Sequence, residues 1–185
     1  MSRIARLRPT DLTPEQSALY QEITGGPRAA GPQTFALTDA DGGLEGPFNA
    51  MLLHPEVGHA LQQLGSALRY RGTLSDRARE LAILIVAADW QSRFEQYAHE
   101  RVGRRAGLTD QEMGAVRDGI EPTLDDPEEV AVVRVTRLLL KRHGLTDEQY
   151  AEAVAALTPP QLFELTALVG YYGTLALQMR VFGVD

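Results

Sequence analysis

Cysteine is absent from the 185-residue chain. That excludes disulfides, thiolate nucleophiles, iron–sulfur clusters and Cys-based zinc sites. Lysine is nearly absent too. Lys141 is the one example, beside Arg142 in a stretch that reads as a solvated helix end, so Schiff-base chemistry has a single, poorly placed candidate. Positive charge is in deficit: 18 basic residues face 25 acidic ones, a net −7. Nucleic-acid binding by phosphate neutralisation wants the opposite balance. The opening MSRIARLRPTDLTPEQ has no apolar core of a secretory signal. The longest uninterrupted apolar run, Leu81 to Ala88, falls far short of the roughly 18 residues a membrane span needs. A soluble, cytoplasmic protein with no membrane partner is expected. Convincing alternation of apolar and polar residues is also missing, which argues against strands.

What is present is ordinary globular material, 44% hydrophobic and 23% charged, enough for one domain with a full core. Helix-start signals recur. Thr13-Pro14-Glu15-Gln16, Thr109-Asp110-Gln111-Glu112, Thr146-Asp147-Glu148-Gln149 and Thr158-Pro159-Pro160-Gln161 each place a hydroxyl three residues before a Glu or Gln. Such pairs satisfy amides that have no partner inside the helix. Ser75-Asp76 opens another helix, and Gly107 and Gly144 follow basic last turns. Helices are predicted over 14–24, 55–70, 76–88, 92–106, 110–118, 127–143, 147–157 and 160–182. The run Leu81–Ala88 has no decisive period, but the preceding cap and the helix formers Arg77, Ala78, Arg79 and Glu80 make it helix. The fold class is all-α.

Residues 25–47 hold Gly25, Gly26, Pro27, Gly31, Pro32, Gly42, Gly43, Gly46 and Pro47. A loop of that length in a compact domain is usually functional. It separates an N-terminal helical arm with its loop, 1–44, from a main helical domain, 45–185.

The chemistry is concentrated between Arg79 and His99. Glu80 leads directly into the apolar run, where a carboxylate is costly unless paired or protonated. Ser92, Glu95 and His99 stand at i, i+3 and i+7 and share one helix face. If the two helices pack antiparallel, Glu80 approaches that face. Bland roles exist for each: Ser92-x-x-Glu95 is itself a capping-box pattern, Glu95 and His99 form an i,i+4 pair, and Glu80 has Arg77 and Arg79 within reach. His54 and His59 are five apart and point to different faces, so they are poor co-ligands.

The segment resembles the carboxymuconolactone decarboxylase/alkylhydroperoxidase-D superfamily. Peroxidase members of that family carry a Glu, a Cys-x-x-Cys beginning twelve positions later, and a His four beyond the second Cys. Glu80 and His99 stand at the Glu and His positions, and Ser92 and Glu95 stand where the cysteines would be. Gly46-Pro47-Phe48-Asn49-Ala50-Met51 and Glu164-Leu-Thr-Ala-Leu-Val-Gly-Tyr-Tyr172 are similar to its Cys-free, long-chain branch. The resemblance covers most of 45–180. It implies an alkylhydroperoxidase-D-like bundle of about eight helices and a symmetric homo-oligomer, at least a dimer. Thiol peroxidase chemistry does not carry over, because both sulfurs are missing.

The function expected is therefore that of a cofactor-free, decarboxylase-like lyase acting on a small organic acid or lactone. Glu80, His99 and Glu95 are the catalytic candidates, with His99 as general acid and Glu80 setting its tautomer. Ser92, Phe48, Asn49, Met51, Trp90, Tyr97, Arg71 and Tyr171 are the candidate substrate contacts. Arg71, Arg79 or Arg93 offers a guanidinium fork to a carboxylate. Two other readings remain open: a metal-dependent enzyme using Glu95-x-x-x-His99, and a non-catalytic small-molecule-binding or assembly protein. No cofactor and no metal are assigned.

Overall fold

A computed structural model of the chain describes residues 2–30 and 35–184. Of the Gly/Pro-rich stretch, residues 31–34, with Gly31 and Pro32, lie outside the described residues. Among the described residues the architecture is all-helical: α1(Pro14–Gly25), α2(Pro47–Met51), α3(Pro55–Tyr70), α4(Asp76–Trp90), α5(Arg93–Ala106), α6(Asp110–Arg117), α7(Pro127–Arg142), α8(Asp147–Val154) and α9(Pro159–Phe182), with a 3-10 turn at Pro9–Asp11. A lone antiparallel bridge, Thr38 to Leu44, is the only extended pairing among them. No single helix among the described residues is long and apolar enough to cross a membrane.

The one short helix that the sequence does not announce is α2. Gly46 turns the chain with φ of +56°, and Pro47 follows at the first helical position, where its missing N–H is no loss. Gly-Pro reads as loop, yet here the pair starts a helix.

The chain forms two compact units, Met1–Arg71 with Leu175–Asp185, and Gly72–Thr174. The 44/45 boundary falls inside the first unit. That unit buries Leu19 and Ile23 of α1, Phe48 and Met51 of α2, and Leu68 of α3. Gly58 decides how closely α3 approaches its neighbours. A Cβ there would stand 2.4 Å from the Met51 carbonyl oxygen and 2.7 Å from a Leu19 methyl. Arg28 reaches inward, donating from Nε to Gln62 Oε1 at 2.8 Å while its guanidinium lies over the Phe48 ring.

The second unit is organised around α4. Ser75 caps it, its hydroxyl accepting the Ala78 N–H at 3.2 Å. Every residue from Ala78 to Ala87 is buried, Arg79 and Glu80 included, and from Leu81 to Ala88 the helix is apolar on all sides. It packs against α5, α6 and α7. Leu81, Leu84 and Ile85 meet Leu108, Met113, Val116 and Val133 in one core cluster. The helix ends at Gln91, left-handed with φ of +53°, whose N–H and that of Ser92 return to the Ala87 carbonyl region.

Two carboxylate-centred hydrogen-bond clusters hold the start of α4. Glu164 of α9 accepts the Thr73 N–H at 2.5 Å and the Thr73 hydroxyl at 2.9 Å, holding the approach to α4. Arg77, the second residue of α4, donates to Glu129 of α7 at 2.6 and 3.0 Å, to Glu112 of α6 at 2.7 Å and to the Gly107 carbonyl. The Thr13, Thr109 and Thr146 capping boxes form as the spacing predicts.

Candidate functional site

Glu80 lies one turn after Arg77 on α4 and is fully buried. The left-handed turn at Gln91 reverses the chain, so α5 runs back along α4 and brings His99 to it. His99 Nδ1–H donates to Glu80 Oε2 at 2.6 Å. On the other side of the ring, Nε2 lies 3.2 Å from Glu95 Oε2, one turn earlier on α5. All three side chains are at most 4% exposed. His99 is thus an imidazole clamped between two carboxylates in a dry interior.

Burial pushes the His99 pKa down, but the charge of Glu80 and its hydrogen bond, then Glu95, outweigh it. The ring stands above its ordinary value. The protonated ring with two N–H donors is the form this geometry favours. Tyr172 closes the site on a third side, its ring edge-on to His99 with centroids 5.1 Å apart, and Tyr171 packs edge-on against Tyr172 at 5.2 Å.

The capping role open to Ser92 and Glu95 is not realised. Ser92 occupies the N-cap of α5, but its side chain makes no capping hydrogen bond. The Glu95 carboxylate turns to His99 instead. Glu80 does keep an arginine neighbour: Arg79 Nε stands 3.7 Å from its Oε1, while Arg79 also pairs with Asp76 at 2.6 Å. Arg77 is committed elsewhere, to Glu112 and Glu129.

The candidate substrate contacts fall in both units. Ser92 is buried at the start of α5 and Trp90 is half-buried at the end of α4, where a Cβ on Gly173 would lie 3.5 Å from its indole nitrogen. Tyr97 is 51% exposed, with the Arg101 guanidinium 3.7 Å above its ring centroid. Tyr171 is buried one ring removed from His99, and Tyr172, which sequence reasoning did not single out as a contact, is the tyrosine that touches the imidazole. Its signal was its position beside Gly173, in a run of four Gly and Tyr residues where either ring was a candidate.

Phe48, Asn49, Met51 and Arg71 belong to the other unit. Phe48 and Met51 are core residues there. Asn49 ties the N-terminal segment, accepting the Leu7 N–H at 3.3 Å and donating to the Ala5 carbonyl at 3.1 Å. Arg71 is an exposed C-cap of α3.

The three site groups do not converge as metal ligands would. Glu80 and Glu95 approach opposite nitrogens of one ring, and no group of three His, Asp or Glu among the described residues is placed to hold a metal ion. What the arrangement can do is hold, share and deliver a proton.

Residues 55–138 match the model of the Carboxymuconolactone decarboxylase family. The whole chain superposes on the alkylhydroperoxidase AhpD core of an uncharacterized peroxidase-related protein from Ralstonia eutropha JMP134, with a TM-score of 0.77 and 15% identity over 100% of this chain and 91% of that one. It also superposes on the debrominase Bmp8. The apo form gives a TM-score of 0.70 and 12% identity over 97% of this chain and 89% of that one. A cysteine-to-alanine form in complex with 2,3,4-tribromopyrrole gives 0.72 and 12% over 100% and 93%. No curated protein matches the sequence. The fold is alkylhydroperoxidase-D-like. With the family match over residues 55–138, from α3 into α7, the chain is similar to the carboxymuconolactone decarboxylase/alkylhydroperoxidase-D-like superfamily.

Proposed function

We propose that the protein is a cofactor-free, decarboxylase-like lyase that uses Glu80, His99 and Glu95 for general acid–base chemistry on a small organic acid or lactone. The observation that carries this reading is the buried imidazole with a carboxylate on each nitrogen. A structural ion pair needs one partner. Two carboxylates around one ring make a proton reservoir, with Glu80 on Nδ1 and Glu95 on Nε2.

In a decarboxylation the bond between carbon and the departing carboxylate breaks, carbon dioxide leaves, and the electron pair delocalises into the lactone carbonyl. The resulting dienolate then takes a proton at carbon. Glu80 holds Nδ1 and orients the ring. The proton between Nε2 and Glu95 is the one available to the substrate, and positioned acid–base catalysis contributes typically 10²–10⁴-fold. The dry site strengthens each of these interactions.

The test is carbon dioxide release by purified protein from a panel of carboxylactones and β-keto acids. Turnover lost in His99→Ala and Glu80→Gln, with helical content intact, is the expected result. Full turnover by His99→Ala would overturn the reading.

A further inference from the structure

A groove of about 590 Å³ opens over the turn between α4 and α5. Its floor is Ala87 and Ala88, whose side chains end at Cβ and leave room. Its walls come from the outer face of α5 and from Arg117 of α6.

The two faces of α5 divide the work. Glu95, Ala98, His99 and Gly103 point into the core. Arg93, Gln96, Tyr97, Glu100 and Arg101 line the groove. Ser92 sits on the border by helical position, on the groove wall yet one turn from Glu95. Glu80, Glu95 and His99 do not line the groove; Ser92, three residues before Glu95, is its link to them along α5.

The charge of the groove is inverted relative to the rest of the molecule. Three arginines, Arg93, Arg101 and Arg117, face one glutamate, Glu100, a net +2 in a chain of net −7. A concave, partly apolar wall concentrates the field of such a cluster and raises the local concentration of anions.

The arginines are also positioned. The Glu100 carboxylate accepts from Arg117 Nη1 at 2.6 Å and from Gln96 at 2.7 Å, tying α6 to α5 across the groove. Arg101 is stacked on Tyr97 and donates from Nη1 to the Tyr97 carbonyl at 3.2 Å, which fixes the plane of its five-donor fork.

We propose that this groove is a dianion subsite. It takes the phosphate-monoester or dicarboxylate end of an organic substrate whose reacting portion reaches the acid–base triad past Ser92. Stacked and carboxylate-held guanidinium groups on opposite walls suit a group with several anionic acceptors. The placement of the reacting portion rests on the acid–base reading. The anion subsite stands on the groove alone, so the test reads binding rather than turnover.

The test is isothermal titration of the full chain with four probes: phenyl phosphate, succinate, benzoate and benzamide. Phenyl phosphate or succinate is expected to bind at one site, more tightly than benzoate, with benzamide undetected. Which of the two dianions is tighter identifies the source of the charge. Arg101→Gln and Arg117→Gln should each weaken the dianion tenfold or more. Arg134→Gln on α7 makes the same change in net charge outside the groove and should leave it unchanged. His99→Gln should bind the dianion as wild type does, even if it turns nothing over. Far-UV circular dichroism checks that each variant is folded. Equal binding of benzamide and phenyl phosphate, benzoate as tight as the dianions, or loss of affinity in Arg134→Gln equal to that in Arg101→Gln would each overturn the proposal.

Discussion

Removing Glu80 is the sharpest perturbation of the site. Its carboxylate is fully buried and lies 2.6 Å from His99 Nδ1. Glu80→Ala takes the partner away and leaves a buried imidazole with Glu95 alone, 3.2 Å from the other nitrogen. Breaking a buried ion pair from one side costs about 3–5 kcal/mol. For a chain of this length that is a fall in Tm of about 6–20 °C. Glu80→Gln keeps the shape and an amide oxygen for Nδ1–H, so it loses only the charged part of the bond. The cost is then about 1–2 kcal/mol and the fall about 2–8 °C. The pH dependence has a definite sign. The His99 pKa is raised in the folded state. The stability it contributes is therefore fully present below the unfolded value, about 6.5, and drains as pH rises through the folded value. The gap in Tm between wild type and Glu80→Ala should be wide at pH 6 and narrower at alkaline pH. Differential scanning calorimetry from pH 5 to 9 reads both the gap and its trend. A gap that widens with rising pH, or Glu80→Gln as costly as Glu80→Ala, would refute the charged-clamp argument.

Arg77→Met strands Glu129 and Glu112 together and should cost about 3–5 kcal/mol in a denaturant melt at pH 7. Burial raises the Glu112 pKa, but its bonds to Arg77 and Thr109 prevail and hold it below the usual carboxylate range. That contribution is present above the unfolded value and lost as pH falls through the folded one, so the Arg77→Met deficit should shrink in acid. Hydroperoxide reduction coupled to dithiol reductants should be absent in a peroxidase assay of the pure protein, since no cysteine is present. α9 leaves Phe163 76% exposed, apolar surface that a partner copy would take out of water. Light scattering at micromolar concentration should therefore report at least a dimer, and Phe163→Asp should shift it toward monomer.

Sequence legibility followed the range of the interactions involved. The Thr109–Glu112 and Thr146–Gln149 boxes are closed within four residues, so pattern and structure agree. Ser92-x-x-Glu95 has the same pattern and a different outcome, because the Ser92 N–H is already bonded to the Ala87 carbonyl and a buried imidazole takes the Glu95 carboxylate. The Glu80–His99 contact was legible because the two residues stand at the Glu and His positions of the family the segment resembles, on two helices around a short turn. The α2 start was not, since Gly46-Pro47 carries the same letters in a loop and at a helix entrance. Arg77 gave no local sign of its role. Its partners lie 30, 35 and 52 residues away, beyond any window of periodicity.

Those same separations bear on how the chain reaches its fold. Each bond from the Arg77 guanidinium closes a loop of at least 30 residues, and its partners come from α6, α7 and the turn after α5. The entropy of closing several such loops must be met before the last donor finds its acceptor. The guanidinium therefore engages after α4, α5 and α7 have docked through their apolar faces. Interactions made beyond the folding barrier govern how fast the native state comes apart, not how fast it forms. Arg77 acts as a late-closing clasp: in a chevron plot its loss belongs to the unfolding limb, and the lifetime of the second unit depends on one side chain that contributes little to finding the fold.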